Sequence, residues 1–162
     1  CLYPVSELAS LEAETKQYCN YAVAAQKQYL YPDDGKCYRM ELWIDVEKIR
    51  SRYLEIGVLG EGDKATVSAV DLVQKVVSLD KSRGDLYGRG RMNCPIEIRD
   101  GKLKLLLLVD CSTVELYIDE GRYCITSNVY PEKEQTECWI KTPYKDAVID
   151  KLRISSMLRY WE

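Results

Sequence analysis

The stretch "LLLLVDCSTVELYIDEGRYCITSNVYP", residues 105–131, decides the fold. It holds three apolar runs separated by two polar bends. In the middle run Val114, Leu116 and Ile118 project to one face, and Glu115 and Tyr117 to the other, the period-two pattern of a half-buried strand. The first bend, Asp110 to Thr113, either turns a hairpin or carries chemistry. The second, "DEGR" (119–122), contains Gly121, which is able to take a positive φ.

The same period extends in both directions. In "YRMELWIDVE" (38–47) the apolar face is Tyr38, Met40, Leu42, Ile44 and Val46, while Arg39, Glu41, Trp43, Asp45 and Glu47 face away. Further strands are predicted over 53–59, 65–70, 75–80, 94–99, 102–110, 123–129, 137–141 and 147–155. Asp100-Gly101 suits a two-residue type I′ turn and predicts a hairpin joining 94–99 to 102–110. "DKSRGDLYGRGR" (80–91) reads as a long loop. About ten short strands with turns between them predict an all-β fold, a two-sheet antiparallel β-sandwich. Residues 1–30 read differently. "PVSELASLEAETK" (4–16) favours a short helix capped by Ser6, so 1–30 is expected to be a linker and 31–162 the sandwich.

Composition narrows the function. The chain has 162 residues and a net charge of −3, which argues against nucleic acid as a partner. No apolar run is long enough to span a membrane, and there is no signal-peptide pattern. The seven cysteines are odd in number and none are spaced C-x-x-C. They read as reduced thiols, and the chain is expected to be cytoplasmic. With no His and no close cysteine pair, neither a metal site nor a cofactor is expected, and a His-based catalytic triad is excluded. The first residue is Cys1 rather than Met, so the chain is expected to be a piece of a longer protein.

Val109, Asp110, Ser112, Thr113, Val114, Glu115, Leu116, Tyr117, Ile118, Glu120 and Gly121, followed by Thr126, Ser127, Tyr130 and Pro131, resemble the signature stretch of the C-terminal module of glycoside hydrolase family 32, the invertases, inulinases, levanases and sucrose-6-phosphate hydrolases. "YPVSEL" (3–8), "SLDKSR" (78–83) and "VIDKLRISSMLRYW" (148–161) are similar to the module's linker, central strand and closing strand. Cys111, Asp119 and Asn128 stand where that family favours Arg, Asn and Arg.

The resemblance implies a lectin-like jelly roll that follows a five-bladed catalytic propeller. It implies a parent β-fructosidase, a retaining glycosidase, with the catalytic residues outside this chain. Of the family's three catalytic motifs only the Glu-Cys dipeptide has a counterpart, Glu137-Cys138, and Glu137 reads as structural. Asp110, Ser112 and Gly121 then read as turn residues. The expected role is non-catalytic, docking on or stabilising the propeller. The alternative is a carbohydrate-binding module for fructan or a sucrose-type sugar.

The candidate contact residues are Trp43, Glu115, Tyr117 and Trp139, which point away from the core among charged neighbours. Three readings stay open for them: cover by a loop or neighbouring strand, contact with the propeller, or stacking on sugar rings. The two arginines of "GRGR" (88–91) raise phosphate binding as a weaker reading. The apolar residues Leu2, Tyr3, Val5, Leu8 and Leu11 have no evident partner within their own segment, which makes a homodimer possible.

Overall fold

The computed structural model describes residues 3–4, 6–144 and 146–158. Alternating apolar residues build two six-stranded antiparallel sheets. The first runs, edge to edge, β1 (Glu12–Val23), β12 (Ala147–Met157), β3 (Tyr38–Asp45), β8 (Lys102–Asp110), β9 (Thr113–Ile118) and β10 (Tyr123–Asn128). The second runs β2 (Gln28–Leu30), β11 (Glu137–Lys141), β4 (Tyr53–Glu61), β5 (Lys64–Asp71), β6 (Val76–Asp80) and β7 (Arg91–Pro95).

The sheets pack face to face. Met40, Leu42, Leu105, Leu107, Leu116 and Ile154 of the first sheet meet Leu54, Ile56, Val58, Val77, Leu79 and Ile140 of the second in one buried cluster. At roughly 1.5–3 kcal/mol for each large apolar side chain withdrawn from water, this layer is the main source of stability.

The bends at 110–113 and 119–122 turn hairpins. Asp110 pairs with Thr113 across the first, and the Asp110 carboxylate accepts the Cys111 amide at 2.7 Å. The Ser112 carbonyl accepts the Val129 amide at 2.9 Å, which pins the turn to the end of β10. At the second bend Asp119, Glu120 and Gly121 all take positive φ, and the Arg122 amide closes on the Asp119 carbonyl.

Three expectations change. Residues 1–30 do not stand apart from the sandwich: β1 pairs with β12 along the edge of the first sheet, and β2 pairs with β11. The N-terminal helix is a 3₁₀ turn, Ser6–Leu11, and the chain is extended from Glu12. β1 lacks a visible period because, as an edge strand, it is exposed along most of its length. Finally, 94–99 does not form a hairpin with β8. Asp100 and Gly101 have the positive φ angles of the predicted turn, but only Arg99 and Lys102 pair across it. Pro95 ends β7, which belongs to the second sheet, so this turn carries the chain from one sheet to the other.

Candidate functional site

Register places Trp43, Glu115 and Tyr117 on one surface, the outer face of the first sheet. Trp43 lies opposite Lys151 on β12 and Lys104 on β8, and Tyr117 lies opposite Leu106. The Lys151 and Lys104 ammonium groups sit 4.4 and 5.1 Å from the Trp43 ring. Cations over an aromatic face are attracted by its quadrupole. The Tyr117 hydroxyl donates to the Glu115 carboxylate. Burial first, and then that carboxylate, raise the Tyr117 pKa well above the ordinary phenol value.

This face is not bare. The Tyr3 ring stands edge-on to Tyr117 at 5.9 Å, with Lys104 also near it. Nine residues later Glu12 reaches Arg39 at 3.2 Å and also binds Arg153. The segment between therefore straps the sheet from β9 towards β12. On the same face Leu106, 1% exposed, and Glu41, 4% exposed, are shielded from solvent although both point away from the core. Glu41 receives Arg39 at 3.0 Å and Arg153 at 3.3 Å, so two carboxylates and two guanidinium groups balance in a shielded cluster. Leu8 and Leu11 are half-buried and Tyr3 is partly exposed. Leu2 and Val5 lie outside the described residues.

Trp139 does not join this group. It lies on β11, on the outer face of the second sheet. A Cβ on Gly57 would meet its ring at 2.0 Å, so Trp139 lies against the bare backbone of β4. Lys27 and Lys141 flank the ring at 4.9 and 5.4 Å, leaving Trp139 3% exposed. A neighbouring strand covers it, and no ring face is open to a sugar.

Glu137 begins β11 at a break in register opposite Gly60. One of its carboxylate oxygens is buried without a hydrogen-bond partner among the described residues. Among those residues no three His, Cys, Asp or Glu side chains cluster as metal ligands, and no helix is long and apolar enough to cross a membrane.

The long loop expected over 80–91 is built onto the sheet. Asp85, its side chain fully shielded, pairs with Lys81 at 3.2 Å and accepts the Tyr87 and Gly88 amides. The Gly84 backbone lies directly on Ala65, and Gln135 holds the Gly84 carbonyl at 3.0 Å.

The family model for the C-terminal domain of glycosyl hydrolases family 32 matches residues 7–156. The chain belongs to this family. It is 21% identical to levanase of Bacillus subtilis, over 98% of this chain and 24% of the levanase. It is 26% identical to sucrose-6-phosphate hydrolase of Streptococcus mutans, over 86% of this chain and 27% of that protein. It thus spans about a quarter of the length of these relatives. Among solved structures, exo-inulinase from Aspergillus awamori superposes with a TM-score of 0.76 at 14% identity, over 95% of this chain and 31% of that one. Fructan 1-exohydrolase IIa from Cichorium intybus gives 0.74 at 14% identity, over 96% and 37%. These likenesses establish that the family 32 C-terminal domain and this chain share the two-sheet fold.

Proposed function

We propose that this chain is the non-catalytic C-terminal domain of a β-fructosidase, and that the outer face of its first sheet seats a catalytic propeller preceding it. The observation that carries this reading is the strap. Tyr3 rests on Tyr117, so a polypeptide leading into Tyr3 arrives over that face. The surface around it suits a domain interface, with an aromatic pair, the half-covered Trp43 and lysines flanking both. A sugar stacked on Trp43 is the second reading, favoured by a cleft of about 420 Å³ that Trp43 lines together with Asp119 and Asp150. Lys104 and Lys151 already occupy positions near the ring, which favours docking.

Lysine modification read by mass spectrometry tests the proposal. Lys104 and Lys151 react in the isolated chain and are protected in the parent enzyme, while the exposed Lys75 and Lys133 react equally in both. Equal reaction of Lys104 and Lys151 in both forms refutes docking on this face.

A further inference from the structure

The outer face of the second sheet carries a trough of about 220 Å³ that the docking reading does not use. Its floor is Ala65, Val67 and Ala69 of β5 with Ser78 of β6, four small side chains in the middle of a sheet face. Exposed faces of antiparallel sheets ordinarily carry long polar side chains. Short ones side by side leave a depression with an apolar base.

The walls are polar. Tyr53 and Glu55 rise on β4, and Asp80 and Arg91, cross-strand partners, rise on the other side. Arg83 enters from the loop, whose Gly84 sits on Ala65 and closes one end. The groups are held in place: Glu55 by Lys141 at 3.0 Å, Asp80 by the Ser82 amide at 2.9 Å, and Arg91 by Asn93 at 3.1 Å.

Two carboxylates and two guanidinium groups line the trough, so its own charge cancels. A phosphate would face Asp80 and Glu55. A membrane surface or nucleic acid would need a basic excess that is absent. What suits it is a ligand with no net charge, several hydroxyls that both donate and accept, and one apolar C–H face for the floor. Charged acceptors and planar donors make the stronger hydrogen bonds to such hydroxyls, and pockets of this kind combine an apolar base with a few convergent polar groups. We propose that the trough binds one neutral sugar unit, free or at the end of a chain. The site is on the sheet opposite the strap, so it stands or falls independently of the docking proposal.

Backbone amide NMR of the chain, titrated separately with fructose, sucrose, a short inulin oligosaccharide and inorganic phosphate, tests this. Expected are saturable shifts at residues 53–55, 65–69, 78–83 and 91, with a dissociation constant of about a millimolar for at least one sugar. Fructose binding indicates a free sugar, and binding of the oligosaccharide alone indicates a chain end. Ala69→Gln, which fills the trough, weakens binding at least about tenfold, and the exposed Lys133→Ala leaves it unchanged. If Ala69→Gln fails to fold, Asp80→Asn, which removes an acceptor at the rim, gives the same loss. The inference is overturned if no sugar gives saturable shifts, if the shifts fall on the first sheet, if phosphate binds the trough more tightly than the sugars, or if the folded variants bind normally.

Discussion

Gly57 is the residue on which the outer face of the second sheet turns. It lies within a strand at a position that demands no unusual φ, and glycine there costs backbone entropy. The Trp139 ring compensates by filling the missing side chain's space. Gly57→Ala is expected to destabilise the chain by about 1–3 kcal/mol through overpacking. In a Trp139→Ala background the same change costs little, and the non-additivity measured by urea denaturation reports the contact.

Cys138 supplies a second test at this scale. It is fully buried, and burial pushes its thiol from 9.0 to about 12. Between those values the unfolded chain has released a proton that the folded chain retains. Stability is therefore intact below pH 9 and falls as pH rises towards 12, by at most about 1.4 kcal/mol per pH unit from this group. Melting temperatures from pH 8 upward in the parent and in Cys138→Ala check the slope, which the variant reduces. Cys19, exposed on the edge strand, reacts with a thiol reagent at once, whereas Cys138 reacts only as the chain unfolds.

At the scale of elements, the N-terminal segment touches the outer face of the first sheet at Tyr3 and again at Glu12, with the shielded Leu106 on that face. Removing residues 1–11 uncovers Leu106 and loosens the Glu12 end of the charge cluster. The expected cost is about 2–3 kcal/mol, most of it the burial of that one leucine. A lower urea midpoint with the same spectroscopic signature of strand confirms it; an unchanged midpoint contradicts it.

Burial decides which of these elements were legible in the sequence. β3 and β9 were readable because one face of each is buried and burial writes a period of two into the residues, while β8 was readable as an apolar run bounded by turn residues. β1 and β2 were not, because an exposed edge needs no such alternation. The register of β3 and β9 was enough to expect Trp43, Glu115 and Tyr117 among the outward residues, but not that Trp139 lies on the other sheet, since sheet membership follows from strand order. The strap and the trough left no signal: Leu106 reads as one more leucine of an apolar run, and Ala65, Val67 and Ala69 read as an ordinary strand.

For the whole molecule, the arrangement gives each outer face a different character. The first is strapped, aromatic and flanked by lysines; the second has a covered tryptophan and a charge-balanced trough. A retaining glycosidase works with two carboxylates about 5–5.5 Å apart on either side of the scissile bond. The counterpart in the sequence of the family's acid motif is Glu137, at the start of β11. We propose above that this chain serves a fructosidase without being its catalyst. Fructose release by the isolated chain from sucrose, inulin and levan tests it most directly. The account predicts release no faster than the buffer blank; turnover above the blank that disappears in Glu137→Gln would contradict it.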